Sequence, residues 1–265
     1  MLMLRMLKFL ISIYSARLGR DLSLPPSQVI LQLIGAICFF YLHVISFSLI
    51  VSRFSFPGWS ISQMWILLYS FEIYTYMAFF LFWRGFNHTV RDINSGGLDQ
   101  IICKPINNQL ITFFRGGGVH NLISGILGLI YLISTLMKYQ LPVSWWSVLI
   151  YGLTLLTSLW FLYSFTLLFI SLNFCFGKLT ATSSAALQLQ EFFKYPGDIF
   201  SSASIILMLL VIPFTSLVSF PVSLLLHKPL SIPVLIIYIS ALIIITAVSQ
   251  LAWRLGLRHY SSASS

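Results

Sequence analysis

The sequence predicts an all-α integral membrane protein with six transmembrane helices, an N-terminal amphipathic helix on the membrane face and both termini cytoplasmic. Three observations predict it. Of 265 residues, 58% are hydrophobic and only 8% charged, whereas a soluble domain carries about 25% charged residues. So little charge cannot keep a surface solvated in water. Apolar runs near the ~20 residues that cross a bilayer recur at 29–51, 61–83, 119–137, 145–174, 199–226 and 232–253. The basic residues are unequally divided between the two sides of that layout. Twelve of fifteen Lys and Arg fall on the side of the termini, leaving only Arg53, Lys138 and Lys228 opposite. The positive-inside rule makes the richer side cytoplasmic.

Each element follows in turn. In residues 1–24, Leu4, Leu7, Ile11, Tyr14 and Leu18 recur at helical spacing, with Arg5, Lys8, Ser12 and Ser15 one step round. That pattern suits a helix lying among anionic headgroups. Pro25-Pro26 then turns the chain into the first span. The second span carries Glu72 near its middle, where an ionisable group is expensive and points to function. Glu72 either contacts cargo or pairs with a polar group on a neighbouring helix or sister subunit, and pairing is the preferred reading. His43 and His120 read as packing or interfacial residues.

The second span is expected to continue past Arg84, Arg91 and Asp92 until Gly96-Gly97 stops it. Leu98 to Lys104 has room for about two helical turns, Asp99 at the N-terminal end and Lys104 at the C-terminal end matching the helix dipole. Pro105 ends the unit. The product is a short cytoplasmic helix strapped between two spans. Pro213 and Pro221 break the fifth span, predicting a kinked or re-entrant segment at the outer leaflet.

Two stretches resemble a known family. Gly97-Leu98-Asp99 followed by Lys104-Pro105-Ile106 is similar to the G-L-D-x-x-L-x-(K/R)-P-(I/V) signature of bacterial ABC-2-type permeases, the integral-membrane subunits of ABC exporters. Tyr195-Pro196-Gly197-Asp198-Ile199-Phe200, then Ile212-Pro213-Phe214 and Phe220-Pro221, resembles the family's second pattern. The family often has Trp after Phe beyond span four; Asn173-Phe174-Cys175-Phe176-Gly177 has none. The resemblance implies a bacterial plasma-membrane location and a dimer of permease subunits, identical or merely similar, above two separate ATPase subunits. It implies that Gly97, Leu98, Asp99, Lys104 and Pro105 couple to the ATPase. The connection 178–198, with Glu191, Lys194 and Asp198, would form a second contact area. ATP with Mg would sit on the partner, and this chain would carry no cofactor.

Other classes fit less well. A GxxxxGK[ST] phosphate loop is absent from the sequence, so the chain is not expected to hydrolyse ATP. Scattered single basic residues argue against nucleic acid despite the net charge of +9. Cys38, Cys103 and Cys175 lack metal-ligand or CxxC spacing and are expected as reduced thiols. An ion-coupled secondary transporter using Glu72 is the alternative, although such carriers usually show several midplane ionisable groups or repeated broken helices. An intramembrane enzyme would need motifs such as HExxH or GxSxG, and neither occurs. Cargo is not legible in the residues.

Overall fold

Two prolines set the start of the first long helix. The computed structural model of the chain describes residues 2–103, 107–114, 117–176, 191–196, 216–229 and 232–260. Helix α1 (Leu2–Leu22) is followed by Pro25 in an extended conformation, and Pro26 opens α2 (Pro26–Arg53). Proline is well placed there, since its missing N–H falls among donors that have no intrahelical partner. The predicted apolar face of α1 divides its roles. Ile11 is exposed, whereas the Tyr14 ring lies 5.2 Å from Phe80 and its hydroxyl donates to the Leu81 carbonyl. Burial pushes the Tyr14 hydroxyl pKa up. A contact with the bundle therefore ties α1 down.

Ser60 starts α3 (Ile61–Ser95) with a capping box: its hydroxyl accepts from the Gln63 N–H and its own N–H donates to the Gln63 side chain. The helix runs 35 residues, past the expected limit of span two and through Arg84, Arg91 and Asp92 as anticipated. One feature was not legible: Phe79–Trp83 winds as a single π turn, a distortion found mostly at functional positions. Gly96 then ends the helix in the left-handed conformation, at φ +76°, which glycine adopts without a Cβ penalty. Short helices α4 (Asp99–Ile102) and α5 (Asn108–Phe113) follow. The next spans are α6 (Val119–Lys138) and α7 (Trp145–Ser171), the latter opened by a Ser144–Ser147 capping box. Helix α8 (Asn173–Phe176), a 3-10 turn at Glu191–Lys194, α9 (Ser216–Leu225) and α10 (Ile232–His259) complete the described residues.

Among the described residues there is no strand, and α2, α3, α6, α7 and α10 are long and apolar enough to cross a membrane. They match five of the six predicted spans. The remaining one, 199–226, falls mostly outside the described residues, Pro213 with it. In its described part Pro221 lies within the short helix α9. A proline costs the helix one backbone bond, which membrane helices tolerate when neighbours pack around them. Here Leu217, Val218 and Val222 are fully buried, and Phe220 stacks on Tyr238 with ring centroids 4.8 Å apart.

The core lies along α3 and α7, with α2, α6 and α10 around them. Small residues allow the close approaches. A Cβ on Gly128 of α6 would meet Glu72 and Ile73 of α3 at 3.2–3.3 Å, and one on Gly85 would collide with the Phe113 backbone. Hydroxyls join α10 to α7: Tyr238 lies 2.8 Å from the Thr157 hydroxyl and 2.9 Å from that of Ser158. The outward faces carry apolar side chains such as Leu31, Leu49, Met137 and Ile243, as lipid requires.

Candidate functional site

The break after α3 is held by a chain of backbone bonds. Leu98 N–H donates to the Asp92 carbonyl (3.2 Å), Asp99 N–H to Gly96 (3.2 Å), and Ile101 and Ile102 both donate to Leu98 (2.9 and 3.0 Å). Gly97 passes close to Asp92, where a Cβ would stand 3.1 Å from a carboxylate oxygen. Asp99 occupies the first position of α4. The turn is rooted and presented at once: Leu98 and Ile101 are buried, while Ile102 and Cys103 are exposed. Lys104 and Pro105 lie outside the described residues, so the expected second helical turn has only its first turn, α4, on view.

The end of the last helix is packed beneath this turn. Trp253 lies 5.3 Å from both Phe113 and Phe174, and Phe174 lies 5.9 Å from Tyr260. The Tyr260 hydroxyl pKa is pushed up to about 12, by burial first and then by the Asp99 and Asp92 carboxylates. That hydroxyl makes no hydrogen bond of ordinary geometry, so its link to Asp99 is proximity in a secluded setting. The α4 turn is thus joined to the end of α3 by the Leu98–Asp92 bond, and α5 and Tyr260 at the end of α10 lie beside it. The exposed Cys103 thiol offers a check on sidedness. A membrane-impermeant maleimide should label it in inverted vesicles and spare it in intact cells; the opposite pattern would invert the topology.

Glu191 and Lys194 are not beside that turn. They pair with each other at 2.7 Å, and their neighbours lean on the other end of the bundle. Phe193 packs edge-on against Tyr74, and Tyr195 lies between Phe47 and Phe56 with centroids 6.4 and 6.5 Å away. Glu72 is separated from Ser95 by roughly 35 Å of helix at 1.5 Å per residue. The described part of the 178–198 connection thus sits at the level of Glu72, away from the α4 turn. Its aromatic side chains explain the difference, since they are buried by packing between helices. Residues 177–190 and Asp198 lie outside the described residues.

Glu72 meets a partner that the sequence did not single out. One carboxylate oxygen lies 2.9 Å from His43 Nδ1, the other is buried without a hydrogen-bond partner, and the Glu72 side chain is fully buried. His43 comes from α2 and is partly exposed. The missed signal was positional: both residues lie deep inside adjacent antiparallel spans, where ionisable groups seldom stand alone.

Two adjacent cavities lie along this side of the bundle, and His43 lines one of them. The upper one, about 580 Å³, is lined by Gln32, Gly35, Phe39, His43, Thr75 and Glu191 among others. The lower, about 630 Å³, is lined by Trp83, Arg84, His88, Arg91 and Gly118 among others. Phe79, the first residue of the π turn, borders both together with His120 and Asn121. Among the described residues no group of His, Cys, Asp and Glu is arranged to hold a metal ion. Pro221 is buried in α9 as described above.

Comparison with known proteins adds one finding. The profile of a family described as "ABC-2 family transporter protein" matches residues 25–264. No curated protein and no solved structure matches the chain.

Proposed function

Because the chain belongs to the ABC-2 family of transporter proteins, we propose that it is the transmembrane subunit of an exporter, paired with a second permease chain and driven by a separate ATPase. The observation that carries this reading is the turn at 96–103. It is anchored by buried Leu98 and Ile101, offers Ile102 and Cys103 outward, and is tied to the end of α3 by the Leu98–Asp92 backbone bond. A rigid handle of this kind suits transmission of a push from a soluble partner. Gly97, Leu98 and Asp99 are its described parts, and Lys104 and Pro105 continue it in the sequence. Glu191, which is exposed, and Lys194 pair with each other away from this turn, next to Phe193 and Tyr195 that pack on Tyr74 and Phe47, and are left out of the handle. ATP with Mg would be bound by the partner, since the sequence has no phosphate loop.

The test is affinity purification of the tagged chain from its native membrane in a mild detergent, with mass spectrometry of the proteins that accompany it. A stoichiometric ATPase carrying a phosphate loop is expected, and a second, similar permease would identify a heterodimer. Repeated recovery of the chain alone would overturn the reading. It would favour an ion-coupled carrier instead, for which the buried His43–Glu72 pair is the relevant feature.

A further inference from the structure

The geometry points to a binding site for an anionic phospholipid of the inner leaflet, with its headgroup in the lower cavity and an acyl chain in the upper one. Depth is the first argument. From Ile61 to Arg84 the helix climbs roughly 35 Å, slightly more than a ~30 Å hydrocarbon core. Arg84 and neighbouring Trp83 therefore stand at headgroup level on the basic side of the protein, where aromatic and cationic side chains gather. The lower cavity opens at that level and the upper one lies within the hydrocarbon.

Charge is the second argument. Arg84 and Arg91 both line the lower cavity, both are exposed, and neither is ion-paired with a carboxylate among the described residues. His88 and His120 add two further nitrogen-bearing rings, and His120 Nδ1 is buried without a hydrogen-bond partner. Among the described residues that line this cavity there is no carboxylate, so the two arginines make it a cationic bowl. Arginine is the residue best shaped to hold phosphate oxygens in pairs.

The upper cavity has the complementary character. Gly35, Ala36, Phe39, Tyr76 and Phe79 supply a largely apolar wall. Its carboxylates are already engaged, Glu72 with His43 and Glu191 with Lys194. Phe79, His120 and Asn121 border both cavities, so a lipid with its headgroup in one would lay its acyl chain past these side chains into the other. The inference concerns binding by this chain and does not rest on coupling to an ATPase.

The experiment uses the full chain reconstituted in phosphatidylcholine vesicles, with a trace of phosphatidylglycerol carrying a photoreactive diazirine in its acyl chain. The same probe with a phosphocholine headgroup serves as control. After irradiation, labelled peptides are located by mass spectrometry. The anionic probe is expected to label α2 around residues 32–39, and the control to label outward faces only. Replacing both exposed arginines, Arg84→Gln with Arg91→Gln, should reduce that labelling by about tenfold or more, given the strength of hydrogen bonds to charged groups. Gly35→Leu should block it independently, since a Cβ at Gly35 meets nothing within 4 Å and a larger side chain would fill the cavity without displacing the backbone. Equal labelling by both probes, or labelling unaffected by either change, would mean ordinary surrounding lipid and overturn the inference. Displacement by millimolar inorganic phosphate together with indifference to Gly35→Leu would assign the bowl to free phosphate, and would overturn it equally.

Discussion

Gly85→Val should prevent the bundle from assembling. Gly85 sits in α3 where α5 crosses it, and a Cβ there would overlap the backbone of Phe113. Backbone cannot swing aside as the end of a side chain can. Phe113 is itself held by Phe86, Tyr163 and Trp253, at centroid distances of 5.3–5.6 Å. Relief would require α5 to lift off, exposing a buried aromatic cluster. Overpacking alone costs about 1–3 kcal/mol, and loss of that cluster adds to it. Detergent-solubilised Gly85→Val should aggregate, or unfold far below the wild type in a thermal scan. Gly152→Val, at a position where a Cβ meets nothing within 4 Å, should behave as wild type. Equal stability of the two variants would show that α5 does not press on α3.

His43→Ala should cost about 3 kcal/mol, because removing one member of a buried charge pair leaves the other without compensation. The penalty arises at Glu72, which is fully buried and has one oxygen already unpartnered. Replacing both residues, His43→Leu with Glu72→Leu, should restore most of the stability, since an apolar pair of similar volume serves at least as well in such a setting. Unfolding midpoints of the two single variants and the double variant give the coupling directly. Transport by the double variant then separates two roles. Stable and active protein makes the pair structural, whereas stable and inactive protein places it on the pathway. A coupling near zero would mean that the 2.9 Å contact contributes nothing.

Most of the architecture was legible because the bilayer imposes a length rule. The predicted spans at 29–51, 61–83, 119–137, 145–174 and 232–253 became helices with nearby limits, the second and the last extended well past them and the fourth ending three residues earlier, at Ser171. The Gly96 stop was legible for a similar reason, since a paired glycine after a polar helix end has few other uses. The π turn was not, because Phe79-Phe80-Leu81-Phe82-Trp83 reads as ordinary apolar helix. Glu191 and Lys194 were assigned to a second contact area by the family resemblance, which carries no information on how the segment packs. Their i,i+3 spacing neutralises both, which leaves Phe193 and Tyr195 free to decide the burial of the segment. The His43 partnership required knowing which turn of α2 faces which turn of α3, and helix rotation is not written in hydropathy.

Cys103 allows the central claim to be tested where it is made. It is an exposed thiol immediately after α4, within reach of whatever docks on the turn. With Cys38 and Cys175 changed to serine, a thiol-reactive photocrosslinker of short span is attached to Cys103 in native membranes, irradiated, and its adducts are identified by mass spectrometry. The account predicts a single soluble partner bearing a phosphate loop, with the yield changed by ATP and strongly reduced by Asp99→Lys. Adducts confined to lipid or to this chain, with no such ATPase present, would contradict it.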